Sequence, residues 1–139
     1  MAVAINRVCL ELGFDAVRAG EIELCIVEGT TNAIQHAYQG NSGHVVAVQL
    51  SVYSEDLNIE VIDSGTPIPF EKQRTLFSGL TSPEPQTIDR QSLSEGGRGL
   101  QIIHELMDEV SYESGESHNR LIMRKRLIPV ALDARQTLP

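Results

Sequence analysis

Tryptophan is absent, and aromatic residues of all kinds make up 4% of the sequence. Any core must therefore be built from aliphatic side chains. Cysteine is scarce too. Cys9 and Cys25 have no metal-ligand spacing and are too few for a disulfide scaffold, so they read as reduced thiols on helices in a cytoplasmic protein. Basic charge is short: 11 Lys and Arg stand against 19 Asp and Glu, a formal net charge of -8. That balance argues against direct nucleic-acid binding. No apolar run approaches the ~18 residues of a membrane span, and the first residues lack the charged start and apolar stretch of a signal peptide, so no membrane association is expected. Several motifs are missing as well. There is no G-x-x-x-x-G-K-S/T loop, no complete G-x-G-x-x-G, no G-x-S-x-G elbow, no H-E-x-x-H pair and no H-R-D or D-F-G.

What is present is a chain of 139 residues, 41% of them apolar, enough for one packed domain. A short helix is predicted over 3–12, ended by Gly13. A longer one follows over 15–38, capped by Asp15, with Ile22, Ile26, Gly29, Ala33 and Ala37 as its apolar line. Strands are predicted over 45–53 and 57–63, joined as a hairpin. Residues 78–97 have weak apolar periodicity and read as a binding loop or lid. A helix over 100–107 and a closing hairpin of 110–114 with 121–128 complete the order, and 129–139 reads as a tail. Helices beside hairpin-paired strands predict a two-layer α/β sandwich with a mixed, mostly antiparallel sheet and helices on one face.

Three places on this framework carry potential chemistry. Glu28 and Asn32 share a helical face, continued by Gln35 and Gln39. Such a line is either a solvated face or a working pair, with Glu28 as a carboxylate base and Asn32 as an amide-oxygen ligand to a hard cation such as Mg²⁺. Of the four histidines, His36 is the one placed to join them, one turn beyond Asn32. Leu57, Ile59 and Val61 point to one side of their strand, and Asp63 is next on that side. An Asx turn would end the strand there. Alternatively, an inward carboxylate needs a donor, and the exocyclic amine of a nucleobase would be one, with Gly65 letting a flat ring approach. Finally, Gly96-Gly97-Arg98-Gly99-Leu100 opens a helix, where backbone N–H groups favour anions.

The order of these segments is more specific than any one of them. Glu28-Gly-Thr-Thr-Asn32-Ala-Ile-Gln-His36-Ala-Tyr38 resembles the N-box of GHKL-type ATPases, and Asp63-Ser-Gly65-Thr-Pro67 resembles their D-x-G-x-P box. The stretch from Glu95 through Gly97, Arg98 and Gly99 to Asp108 resembles the second glycine box with its helix, and Asn119 to Leu127 resembles the last strand. The His-Ala-Tyr and Leu-Met-Asp-Glu-Val segments are most similar to the RsbW/SpoIIAB branch, the anti-sigma-factor serine kinases. The similarity covers about residues 3–128 of a single domain spanning 1–139.

The resemblance implies a Bergerat ATP-binding fold. Asp63 would bind adenine, Asn32 would hold Mg²⁺ against the triphosphate, and Gly97, Arg98 and Gly99 would close over the phosphates with Leu100 behind them. His36 belongs to the same nucleotide site, and Glu28 would be the base. The implied partners are a STAS-domain anti-anti-sigma protein as substrate and a sigma factor, with a homodimer among the assemblies. The sequence departs from the pattern in two ways. The family's N-terminal strand, which with the nearby helix often serves dimerisation and partner binding, is missing or very short, and Arg7 is a candidate partner contact on that helix. Asn119 and Arg120 stand where the family often has Thr or Ser supporting the adenine site. Two other readings stay open: a non-catalytic ATP-dependent switch module, and the ATPase domain of a larger signalling protein.

Overall fold

The computed structural model describes residues 1–41, 43–77 and 95–127. The predicted lid over 78–97 lies outside the described residues except for its last three positions, and the tail over 129–139 lies wholly outside them. Two helices come first. The first, α1 (Ala2–Glu11), stops at Gly13, whose φ of +101° suits a residue without a side chain. The second, α2 (Ala16–Asn32), starts at Asp15, whose Oδ1 accepts the Arg18 backbone N–H at 2.8 Å. Hairpin strands β1 (Ala47–Val52) and β2 (Asp56–Asp63) follow, then α3 (Phe70–Phe77) and α4 (Glu95–Leu106), then hairpin strands β3 (Glu109–Ser114) and β4 (Asn119–Arg126).

The strands form one sheet in the order β1-β2-β4-β3, antiparallel at every pairing among the described residues. The mixed pairing predicted from sequence therefore does not occur there. Leu57, Ile59 and Val61 of β2 and Leu121 and Met123 of β4 face the helices and are buried. The predicted line on α2 meets them: Ile22, Ile26, Gly29, Ala33 and Ala37 are all buried. A Cβ built on Gly29 would lie 3.2 Å from Val61 Cγ2 and 3.3 Å from Leu121 Cδ2. The bare α-carbon thus lets the helix approach the β2–β4 pair closely. Cys9 and Cys25 are buried in this core, and burial pushes the Cys25 thiol up to about 12, as inert thiols require.

Three boundaries differ from the sequence reading, each for a physical reason. The long helix does not run unchanged to Tyr38: α-geometry ends at Asn32 and a π-helical turn covers Ala33–Ala37, closed by the Tyr38 N–H on the Ala33 carbonyl at 3.3 Å. Helix α3 has no counterpart in that reading. It has no buried residue, so it carries no apolar period, and it is held by polar pins instead. The Ile68 N–H donates to the Tyr112 hydroxyl at 3.1 Å, and Gln73 Nε2 donates to the Ile68 carbonyl at 2.7 Å. Helix α4 starts at Glu95 rather than after the glycines, which lie within its first turns. No helix among the described residues is long and apolar enough to cross a membrane.

His104 of α4 packs against Phe77, which stacks on Tyr112 with ring centroids 5.5 Å apart. Burial lowers the His104 pKa, and its Nε2 is buried with no hydrogen-bond partner. The folded chain thus resists protonating His104 while the unfolded chain does not. This contribution to stability is whole above the ordinary histidine value of 6.5 and is lost as pH falls below it toward the depressed folded value. Thermal melts between about pH 7 and pH 5 should show a falling Tm whose slope is shallower in His104→Gln. Gly29→Val should destabilise the fold by about 1–3 kcal/mol in urea titrations, because the added methyl groups must push α2 off the sheet.

Candidate functional site

The inward carboxylate expected on β2 is where the strand's alternation puts it. Asp63 is 7% exposed, at the end of the buried row, directly opposite Asn119 in the β2–β4 register. Its Oδ1 accepts two hydrogen bonds, from the Gly65 backbone N–H at 3.0 Å and from Asn119 Nδ2 at 2.8 Å. The first is the Asx turn that the sequence offered as an alternative. Asn119 Nδ2 also donates to the Gly65 carbonyl at 2.9 Å, so one buried amide spans carboxylate and turn. Both described bonds arrive at Oδ1, and Asp63 lines an open cleft of about 640 Å³.

The cleft runs between α2 and its π turn on one side and the 66–69 segment with α3 on the other. Asn32, His36, Asp63 and Leu100 all line it. Its remaining walls are largely aliphatic or aromatic, including Ala33, Val61, Ile68 and Tyr112. That combination, an apolar slot with a few convergent polar groups and a volume of several hundred Å³, is the usual form of a small-molecule site. Burial first, and then the charge of Asp63, raise the Tyr112 pKa, while the Ile68 N–H opposes them. The Tyr112 hydroxyl on this wall therefore stays protonated at neutral pH.

Glu28 is half-buried and stands beside the cleft rather than in it, at the contact between α2 and α4. A Cβ built on Gly99 would fall 2.7 Å from Glu28 Oε2 and 3.3 Å from Asn32 Nδ2. The third candidate segment is thus brought against the first, and only a glycine fits between them. The Asn32 amide nitrogen is buried with no hydrogen-bond partner, so no bond to Nδ2 fixes the orientation of the amide. No group of three or more His, Cys, Asp or Glu side chains that could hold a metal exists among the described residues. A cation here would take few protein ligands, as Mg²⁺ does.

Other candidates fall outside the cleft lining. Gly65 sits under the π turn, where a Cβ would be 2.6 Å from the Ala37 carbonyl carbon. The Thr66 N–H donates to that carbonyl at 2.9 Å. The missing side chain at position 65 therefore serves contact with α2's extension rather than the approach of a ring. Arg98 is exposed on α4, and Gly97 lies in the first turn of that helix. Sequence reasoning missed Asn119 as a partner of Asp63. The signal was there only once strand register was known, because the two residues are 56 positions apart. It also missed Ile68, Lys72 and Tyr112, which reach the cleft through α3 and β3.

Comparison with known proteins agrees with this geometry. A family model described as "Histidine kinase-like ATPase domain" matches residues 1–125. The chain is 32% identical over 114 residues to "Serine-protein kinase RsbW" of Bacillus pumilus, covering 81% of this chain and 68% of that one. It is 35% identical over 109 residues to the protein of the same name from Bacillus licheniformis, covering 78% and 65%. The chain thus spans about two thirds of the length of these relatives. Among solved structures, the catalytic domain of histidine kinase ThkA aligns with a TM-score of 0.56 at 19% identity, over 78% of this chain and 66% of that one. The histidine kinase domain of the blue-light activated kinase from Erythrobacter litoralis aligns at 0.54 and 24%, over 89% and 60%. These two show the shared fold, a helix layer on an antiparallel sheet. The family match over most of its length, together with this fold, establishes that the chain belongs to the histidine kinase-like ATPases.

Proposed function

We infer that the chain is an ATP-dependent protein serine/threonine kinase of the anti-sigma-factor type, working in the cytoplasm as one catalytic domain. Its substrate would be a STAS-domain antagonist, and its second partner a sigma factor held until that antagonist displaces it. The similarity to serine-protein kinases supports the reaction class. The observation that carries the site is the shared cleft of Asp63 and Asn32, one a buried carboxylate braced from behind, the other an amide with an unpartnered nitrogen.

In this reading Asp63 accepts the adenine amine through Oδ2, since Oδ1 is already occupied, and the apolar walls sandwich the ring. Asn119 keeps the carboxylate from turning. Asn32 is the residue that would hold Mg²⁺, which when bound neutralises triphosphate charge. Glu28 accepts the proton of the substrate hydroxyl as that oxygen bonds to the γ-phosphorus. The bond to the bridging oxygen then breaks and ADP leaves. A close second helix, permitted by Gly99, keeps Glu28 beside the phosphate end. One observation favours a second reading, a nucleotide-set switch without transfer: Glu28 borders the cleft instead of lining it.

Incubation with labelled ATP, Mg²⁺ and a STAS-domain protein, followed by mass spectrometry of that protein, separates the two. Phosphoserine or phosphothreonine supports the kinase, and binding without transfer supports the switch. Glu28→Gln should keep ATP binding in calorimetry and lower transfer at least ~100-fold. Asp63→Asn should weaken ATP binding ~10- to 100-fold, because the amide may present a donor to a donor. Asn119→Ala should weaken it by a smaller factor, about 5- to 10-fold, since the carboxylate remains but is no longer held.

A further inference from the structure

Helix α2 buries one side on the sheet and leaves the other bare. The bare side carries Val17, Gly20, Leu24, Val27 and Thr31, and Ile34 continues it into the π turn. The intervals are three and four residues in strict alternation, the spacing of a helix–helix seam. Val17 is 71% exposed, Leu24 41%, Val27 42% and Ile34 48%. A surface helix ordinarily turns polar residues outward. Here the buried residues Ala19, Ile22, Cys25, Ile26 and Gly29 account fully for the core side, so the stripe is a second apolar face.

Three features identify what covers it. The stripe reads the same from either end. About a point between Cys25 and Ile26, Val17 mirrors Ile34, Gly20 mirrors Thr31 and Leu24 mirrors Val27. Two antiparallel copies related by a two-fold axis therefore set aliphatic against aliphatic at the centre and at both ends, as an isologous contact requires. Gly20 is the second feature. A glycine inside a helix costs about 1 kcal/mol relative to alanine, yet a Cβ built at Gly20 meets nothing within 4 Å in this chain. Nothing internal requires the bare α-carbon, whereas the close approach of another helix would use it. The third is size. Val3 (81% exposed) and Leu10 (46%) lie on α1, which packs beside α2. With them the exposed apolar side chains offer roughly 500 Å² per copy, and at about 60% apolar content that corresponds to roughly 800 Å² per partner, the size of a stable interface. The acidic flanks do not stand unpaired against a second copy: Glu21 is 3.9 Å from Lys125 Nζ, and Glu23 accepts from Asn6 Nδ2 at 2.9 Å.

We propose that the outer face of α2 is the seam of an antiparallel homodimer, with Leu24 of one protomer against Val27 of its partner. The surface lies on the side of α2 away from the sheet, so it is independent of the nucleotide reading, and its test uses no nucleotide. Sedimentation of the chain from low to high micromolar concentration should show a dimer. Leu24→Lys and Val27→Lys should each raise the dissociation constant at least ~100-fold with unchanged circular dichroism. Val17→Lys, at the most exposed position of the stripe, serves if either fails to fold. The Leu24→Cys/Val27→Cys double variant should close inter-chain disulfides under mild oxidation, with either single variant linking far less. A monomer throughout the range, a dimer insensitive to the lysine variants, or a dimer whose double-cysteine form does not link overturns the assignment.

Discussion

The closeness of α2 to the sheet sets the geometry of everything else in this chain. With no side chain at Gly29, the helix rests on Val61 and Leu121, one residue from each of the two central strands. From that contact the helix runs on to Asn32, while β2 runs on to Asp63, so the amide and the carboxylate arrive on one cleft without either being carried by a loop. Residues on packed secondary structure are positioned more tightly than residues on loops. The third segment is fitted by the same device. Gly99 brings α4 against Glu28 and Asn32, and Gly65 brings the end of β2 under the π turn. Three close approaches, each made at a glycine, assemble the site from segments far apart in sequence.

The charges follow a similar economy. The core holds almost nothing polar among the described residues: Asp63 and Asn119 are its buried polar side chains, and they are bonded to each other. A buried carboxylate without donors would cost several kcal/mol. Here the donors come from Gly65 and Asn119, both behind the carboxylate, which leaves its other oxygen available to the cleft. The outward face of the sheet, by contrast, carries the exposed pairs Arg120–Glu60 and Arg124–Glu109, which contribute little to stability and keep that face soluble.

Much of this was legible in the sequence, for identifiable reasons. Alternation on Leu57, Ile59 and Val61 fixed the inward direction of Asp63, because side-chain period in a strand is two whatever the tertiary context. The helical period fixed the buried line of α2 through Ala37, although the geometry beneath it changes at Ala33. Asn119 could not be read the same way, since its role depends on register between strands whose pairing no local pattern declares. Helix α3 was illegible because its residues answer to polar contacts with Tyr112 and Ser114 and not to an apolar face. The part assigned to Gly65 was legible as a need for a missing side chain, but not in its cause, because the group that occupies the space is the backbone of Ala37.

The wide turn at Ala33–Ala37 has a consequence for the chain's tolerance of change. A π turn accommodates one more residue than the α-turn it replaces. Removing any one of these five would let the helix close up and rotate everything beyond it by about 100°. Tyr38 would be swung away from both of its hydroxyl partners, the Val45 carbonyl at 2.9 Å and the Ser64 N–H at 2.8 Å, and the Ala37 carbonyl would leave the Thr66 N–H. Substitutions in this stretch are absorbed locally, but a deletion is not, so the length of the segment is under tighter constraint than its composition.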